Sequence, residues 1–402
     1  MSLPPTYYEF LQRVRPAVVT FAEQDAAELA GQAEPPEVIK SIDDYPSRFS
    51  ACCDALIEEV LENAATQQGV DKETLRPHIE MARKHDPMLG QMLLSANYEY
   101  HAYLNFALSG KKTFYVSDNL SEHLANTEVN MRAELIQVPY PSFQMVFTSP
   151  AAIDALHNLQ GREGRRAMHF RELDYSAPVT AELTMLPGTA DLPGRSLMIL
   201  AWHARPPSKG YMMAKRQIYL PDDWTLEQSL RTEWDKIGRT APHGGYSLDD
   251  ELNVEPYTDD SLFYTDGLLF FRMVMNTLLY LSSEEAELTP RRAQRQALEE
   301  KAAAATSGRK KRLYRKEASR HTALDYSEIG ASVSPIVIER GAASGDGKRA
   351  SGSAPTTRFM VRGHWRNQAH GAGRADRKLI WIRPYMKGPD VAEVVNKPYL
   401  VR

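Results

Sequence analysis

The spacing of apolar residues changes near residue 133, and this change limits the folds open to the chain. In the first 132 residues the apolar positions recur every three or four residues, for example at Leu11, Val14 and Val18, which is the period of an amphipathic α-helix. Further on, segments rich in β-branched and aromatic residues, such as PSFQMVFTS from Pro141, are bounded by Gly and Pro, as strands are. The sequence therefore predicts an α+β protein whose residues 1–132 form a helical bundle.

Residues 133–283 are predicted to form a mixed α/β domain with an antiparallel sheet and helices on one face of that sheet. The most apolar stretch of this domain is GLLFFRMVMNTLLYL, at Gly267–Leu281. It is shorter than the ~20 residues that span a bilayer, and Arg272 and Asn276 interrupt it. We therefore expect a buried helix here and no contact with a membrane.

Two smaller parts follow. Residues 284–355 are predicted to form a basic helix and a flexible linker, because Thr289 and Pro290 have residue types favoured at the start of a helix. The Gly-, Ser- and Ala-rich residues from Gly341 onward have the composition of a linker, and a short strand at Ile336–Glu339 precedes them. Residues 356–402 are predicted to form a small basic β-rich module.

Charge is unevenly divided along the chain. From Arg291 to the C-terminus lie 24 of the 48 Lys and Arg residues but only 10 of the 52 Asp and Glu residues, so the preceding residues are acidic overall. This asymmetry indicates nucleic-acid binding or pairing between the acidic and basic parts. The two cysteines, Cys52 and Cys53, are adjacent, and the N-terminus lacks a secretory pattern. Both features favour a cytoplasmic protein.

The C-terminal module combines basic and aromatic residues in two strand-like segments, RFMVRGHW from Arg358 and RKLIWIRPY from Arg377, with a Gly-containing segment between them that suits a hairpin loop. Cations for phosphates and aromatic rings for bases make up a single-stranded nucleic-acid surface, with Trp365 and Tyr385 as the rings. The candidates are Arg362, His364, Trp365, Arg366, Arg374, Arg377, Lys378, Arg383, Tyr385 and Lys387. In the alternative interpretation, Trp365 and Trp381 are the core of the module and its arginines are a solvated rim.

A second basic segment, RKKRLYRK, precedes this module. Such runs are solvated linkers or nucleic-acid-binding arms, and the position of this one beside the module favours an arm. Its candidate residues are Arg309, Lys310, Lys311, Arg312, Arg315 and Lys316.

His364 and His370, with the arginines near them, have the residue types of a metal-independent ribonuclease. Basic surfaces carry such residues in any case, so the sequence leans against an enzyme. The spacing of His, Cys and carboxylate residues matches no metal site, and the glycine motifs of nucleotide-binding loops are missing from the sequence. We therefore expect neither a metal nor a cofactor.

The motif VRGHWRNQ, followed by IWIRPYMKGPD and KPYLVR, resembles the C-terminal signature of an uncharacterised group of bacterial proteins encoded among plasmid, phage and other mobile-element genes. VPYPSF, at Val138–Phe143, is a fainter second match. No reaction is attached to this group, so the resemblance implies mobile-element biology and no particular chemistry.

The sequence thus predicts a non-enzymatic nucleic-acid-binding protein of phage- or plasmid-related biology. Its acidic N-terminal body is predicted to contact a protein partner or a second copy of the chain. Two alternatives stay open at this point: a toxin-like ribonuclease, and a protein-binding module that acts in phage–host conflict without touching nucleic acid.

Overall fold

The computed structural model describes residues 3–156, 175–189, 194–205, 210–240, 268–336, 338–339 and 359–387. The predicted linker at 341–355 and the end of the C-terminal module from residue 388 lie outside these ranges.

Helices make up most of the chain before the first strand. They are α1 (Tyr7–Val14), α2 (Pro16–Ala30), α3 (Phe49–Gln68), α4 (Lys72–His85) and α5 (Pro87–Leu108). Pro16 begins α2, where its missing N–H costs nothing, and Gly69 ends α3 with a φ of 66°. The buried side chains of these helices pack together with Leu200 and Trp202. The helical bundle therefore covers one face of the sheet that contains those two residues.

A seven-stranded sheet forms the centre of the molecule. Its strands are β1 (Thr113–Val116), β2 (Ser142–Phe147), β3 (Val179–Leu186), β4 (Arg195–Arg205), β5 (Gly210–Leu220), β6 (Leu288–Arg291) and β7 (Tyr326–Ile329). They lie in the order β5-β4-β3-β2-β1-β7-β6. The strands come from three of the predicted segments, 1–132, 133–283 and 284–355, so these segments share one sheet. The division into four domains stays a prediction.

The α+β class is confirmed, but the sheet is mixed where an antiparallel one was expected. β1 is parallel to both β2 and β7, whereas the other neighbouring pairs are antiparallel. The β1–β2 pair is parallel because the chain leaves β1 through a helix, α6 (Asp118–Ala125), before it returns as β2. A crossover of this kind sets two neighbouring strands in the same direction.

The second face of the sheet is covered by α6, α7 (Pro150–Leu156) and α9 (Leu269–Leu281), while α8 (Leu226–Thr240) packs beside β5. α9 is buried from Leu269 to Tyr280, as the apolar stretch predicted. Arg272 donates to Ala125 O at 2.8 Å from within this helix. Of the helices in the described part of the chain, none is long and apolar enough to cross a membrane.

Two helices, α10 (Gln294–Ala304) and α11 (Gly308–Ala318), pack on each other between β6 and β7. We call α10 and α11 together the helical arm. The predicted helix start at Thr289 and Pro290 is wrong, because both residues pair with β7 as part of β6. Proline is tolerated there since β6 is the edge strand of the sheet.

The C-terminal region contributes β8 (Ile338–Glu339), β9 (Phe359–Val361), β10 (His364–His370), β11 (Asp376–Ile382) and β12 (Tyr385–Lys387). β10 and β11 form an antiparallel hairpin, referred to below as the hairpin, and β12 lies between β8 and β9 in a three-stranded sheet. β12 pairs with β8 in parallel and with β9 in antiparallel orientation.

Candidate nucleic-acid interface

The hairpin is attached to the body at Gly363. Gly363 N donates to Asn126 O at 3.0 Å, and Gly363 O accepts from Glu128 N at 2.9 Å. A Cβ atom at this position would lie 2.6 Å from Thr127 Oγ1 and 2.9 Å from Ile382 O. The glycine of the RGHW motif is therefore needed because two backbone segments approach too closely for any side chain.

Trp365 and Trp381 anchor the hairpin in the main core. They lie opposite each other on β10 and β11, their rings stack at 5.9 Å between centroids, and each is 3% exposed. Trp365 Nε1 donates to Asn276 Oδ1 at 2.9 Å, and Trp381 Nε1 donates to Thr127 Oγ1 at 3.3 Å. Trp365 thus offers no ring face to a base, contrary to its predicted stacking role, and its packing is that of the core interpretation.

Residues of α6 and α9 also contact the buried side of the hairpin. The rings of His123 and Tyr280 each meet Trp381 edge-on, at 5.7 Å between centroids. His123 Nε2 donates to Ser334 O at 3.0 Å, and burial lowers the pKa of His123. The neutral imidazole is therefore the form that fits this contact.

The cations of the hairpin lie on both of its faces. His364 and Arg366 flank Trp365 on β10 and so lie on the opposite face. Arg377 pairs with Ala369 and lies on the tryptophan side, near the tip. His364, Arg366, Arg374, Arg377, Arg383 and Lys387 are exposed, while Arg362, Lys378 and Tyr385 are partly buried. Lys378 Nζ lies 3.3 Å from a Glu284 carboxylate oxygen, and the Arg383 guanidinium lies 5.4 Å from the Trp381 ring centroid. Arg374 has a φ of 59°, a left-handed conformation that residues other than glycine seldom adopt. The turn thus holds this arginine at the tip of the hairpin.

The predicted basic run forms α11 of the helical arm. Arg309, Lys310, Arg312, Arg315 and Lys316 are exposed. Lys311 and Tyr314 are partly buried, and Ala318 is buried. These residues are three and four positions apart, so they form one side of the helix, and this side faces the protein.

The structure places the two basic segments apart. α11 leads into Tyr326, the first residue of β7, and nearby Thr322 N donates to Leu3 O at 2.9 Å. Beyond Ile329, the last residue of β7, the chain runs to Ser334, which meets His123 beneath the hairpin. The helical arm and the hairpin therefore lie beyond opposite ends of β7, although they are close in sequence.

The two histidines proposed as an acid–base pair are also apart. His364 pairs with Ile382 at one end of the hairpin, and His370 pairs with Asp376 at the other. Six residues of extended strand separate them by about 20 Å. One phosphate cannot reach both imidazoles in this arrangement. In the described ranges, no group of three His, Cys, Asp or Glu side chains is placed to hold a metal ion.

Asn276 and Thr127 were not among the sequence candidates, yet they hold both tryptophans. Asn276 Nδ2 also donates to Leu124 O at 2.9 Å and to Thr127 O at 2.8 Å. The sequence gives one signal for Asn276, namely that it is a polar residue inside an apolar helix. A buried polar side chain needs hydrogen-bond partners, so such a residue indicates a buried contact. The sequence does not show which partners these are.

Comparison with known proteins gives similar solved structures and one family. The crystal structure of AcrVA2 aligns over 94% of this chain and 96% of that chain, with 11% sequence identity and a TM-score of 0.39. No curated protein matches the chain. The sequence model of the AcrVA2-like family, described as the anti-CRISPR type V subtype A2 family, matches residues 114–388. This range is more than half of the chain, and the match confirms the phage-related setting implied by the C-terminal motif. The chain belongs to the AcrVA2-like family of anti-CRISPR proteins.

Proposed function

We propose that this protein inhibits a type V CRISPR system in the host cytoplasm, and that it does so by binding nucleic acid through the hairpin and the helical arm. Membership of an anti-CRISPR family gives it a role in phage–host conflict. The nucleic-acid contact is supported by a difference in ion pairing. Several arginines of the body have a carboxylate neighbour, whereas exposed cations of the hairpin and the helical arm have none among the residues that the structure describes.

Several arginines of the body are paired with carboxylates. Arg15 lies 2.8 Å from Glu99, and Arg291 lies 2.7 Å from Glu328. Arg48 and Arg76 each contact two carboxylates. These positive charges are neutralised locally and contribute little to the field around the protein.

The exposed cations of α11 and of the hairpin differ from these paired arginines. Within the described residues, no carboxylate lies within 4.0 Å of the cationic groups of Arg309, Lys310, Arg312, Arg315, Lys316, Arg366, Arg374, Arg377 or Arg383. A group of unneutralised cations creates a positive potential that attracts phosphates. Each phosphate contact then releases counterions and makes binding dependent on salt.

The ribonuclease alternative loses its acid–base pair, since His364 and His370 lie at opposite ends of the hairpin. The alternative of protein binding without nucleic acid depends on the acidic N-terminal helices. A protein partner, or a second copy of the chain at those helices, stays a prediction that light scattering of the purified protein can check.

The test of the proposed function measures phage survival in cells that carry a type V system with a matching guide. The wild-type protein is expected to restore plaques. Arg366→Glu combined with Arg377→Glu is expected to reduce plaque formation at least about tenfold, because two phosphate contacts become repulsive. The matched control is Lys40→Glu with Arg132→Glu, which changes the same charge at exposed positions of the body.

The same variants are then compared by fluorescence anisotropy with labelled nucleic acid at about 50 and 200 mM salt, and about five phosphate contacts predict a 10²- to 10³-fold loss of affinity over this range. Inhibition of the CRISPR system without nucleic-acid binding at low salt would establish the protein-binding alternative instead. Shortened strands on a denaturing gel would establish the ribonuclease. Wild-type protein that leaves the CRISPR system fully active would refute the proposal as a whole.

A further inference from the structure

The outer side of α11 presents one continuous stripe. Arg309, Arg312, Leu313 and Lys316 are exposed. Arg309 lies three and four residues before Arg312 and Leu313, and Lys316 lies four and three residues after them, which places all four on one face of the helix. Leu313 is 62% exposed in the middle of this stripe. The stripe is thus cationic with one apolar side chain near its centre.

The base of the helical arm is fixed to the body, so that the stripe points away from it. Ala293 N donates to Asp325 Oδ1 at 2.7 Å. Arg295 Nη1 lies 3.3 Å from Glu9 Oε1, and Ala323 N donates to the same carboxylate oxygen at 2.8 Å. Contacts at both ends of the arm therefore hold α11 in one orientation before any ligand binds, which lowers the entropy lost on binding.

The stripe has cations but no aromatic ring. Tyr314 is on α11 but is partly buried on the inner side. Among the large hydrophobic side chains that are exposed in the described residues, Tyr175 is aromatic, and it lies outside the arm and donates to Asp154. Single-stranded nucleic acid is held by stacking of bases on aromatic rings, and the stripe cannot provide this. Phosphate contacts along a duplex need only the cations.

We propose that α11 binds double-stranded DNA by entering its major groove. This inference rests on the proposed function and specifies the ligand of the helical arm. A helix is about 10–12 Å wide and the major groove of B-form DNA is about 12 Å wide. The eleven residues of α11 extend for about 16 Å, along which the duplex carries roughly nine phosphate charges.

The stripe has cations for the phosphates on the rims of the groove and an apolar side chain for its floor. Arg309 and Lys316 lie about 10 Å apart along the helix axis, and they reach the phosphates on the rims. Leu313 lies between them and faces the floor, where the methyl group of thymine is an apolar partner. A-form RNA has a deep, narrow major groove that does not admit a helix, so duplex RNA is expected to bind more weakly than duplex DNA.

The test uses the full chain and 20-base-pair duplex DNA, duplex RNA of the same sequence and each single strand, all compared by fluorescence anisotropy. Duplex DNA is expected to bind at least about tenfold more tightly than either the single strands or the RNA duplex, because only it offers an open major groove. Arg312→Ala with Lys316→Ala is expected to reduce the slope of log K against log salt by about 2. The control Lys40→Ala with Arg132→Ala removes the same charge from exposed positions of the body and is expected to leave the slope unchanged.

Equal affinity for single strands and duplex DNA would overturn the inference, as would equal affinity for the two duplexes. So would an α11 variant that behaves as its control does. Other results would decide the proposed function. If no nucleic acid binds at low salt, both are wrong, whereas loss of binding in the Arg366→Glu, Arg377→Glu variant alone would leave the proposed function standing and remove only the role of α11.

Discussion

Replacement of Asn276 by alanine is expected to loosen the hairpin from the body, because this one side chain connects three parts of the chain. Asn276 is fully buried. It donates to Leu124 O and to Thr127 O, and it accepts from Trp365 Nε1. The first two contacts hold the end of α6, and the third holds the hairpin.

The size of the effect follows from the groups that lose their partner. Leu124 O keeps a hydrogen bond from Thr127 N at 3.2 Å, so it is not left unpaired. Thr127 O and Trp365 Nε1 lose the partner that Asn276 gives them. A buried polar group without a partner costs about 1–3 kcal/mol. We therefore expect Asn276→Ala to lower the free energy of unfolding by about 2–6 kcal/mol.

A double-mutant cycle identifies the contribution of the Trp365 contact. Trp365→Phe leaves Asn276 Oδ1 unpaired, and we expect a loss of about 1–3 kcal/mol from this contact in addition to the loss of ring volume. In the double variant the indole donor and its acceptor are both gone. The two effects should then fall short of additivity by about 1–2 kcal/mol.

The measurement is equilibrium urea unfolding followed by circular dichroism at 222 nm, which does not depend on tryptophan fluorescence. A loss below about 1 kcal/mol in Asn276→Ala, or full additivity in the cycle, would show that the hairpin is not held in the core by this contact. Deletion of residues 356–402 cannot replace this test. It would remove Trp365 and Trp381 from the core and confuse the loss of binding with the loss of folding.

Two further predictions concern the attachment of the hairpin at Gly363 and a buried carboxyl group in the sheet. Gly363→Ala is expected to cost about 1–3 kcal/mol, because its Cβ would lie 2.6 Å from Thr127 Oγ1. Limited proteolysis should then cut the C-terminal region sooner than in the control Gly90→Ala, whose Cβ would meet no atom within 4 Å. Burial raises the pKa of Glu182 well above its ordinary value, so its contribution to stability is present below the unfolded pKa of about 4.3 and is lost as the pH rises through the folded pKa. Glu182→Gln should therefore gain stability relative to the wild type between about pH 5 and pH 8, measured as the urea midpoint, and a pH-independent difference would contradict this reasoning.

Local pattern was enough to predict the elements that bury a continuous apolar side. The stretch around Phe270 and Met273 is a buried helix, as its composition predicted. The two segments around Trp365 and Trp381 form a hairpin because both are strand-like and glycines lie between them. These features depend on residues close together in sequence, where period and turn chemistry act directly.

The mixed sheet and the burial of the tryptophans could not be predicted from local sequence pattern. β1 pairs with β7 across about two hundred residues of chain, and no local pattern specifies that neighbour. Alternation along β10 places Trp365 on the opposite side from His364 and Arg366. It does not tell which side meets the core, because that depends on Asn276 in α9, 89 residues earlier.

The same reasoning applies to charge, and it explains why the candidate interface needed the structure. Arg15 and Arg312 look alike in the sequence, since both lie in helical segments with other basic residues near them. In the folded chain Arg15 contacts Glu99, which lies 84 residues away, whereas no described carboxylate contacts Arg312. A cation can attract phosphate only where folding leaves it unneutralised. The nucleic-acid hypothesis therefore depends on which arginines lack a carboxylate neighbour, and the number of arginines in a segment does not show this.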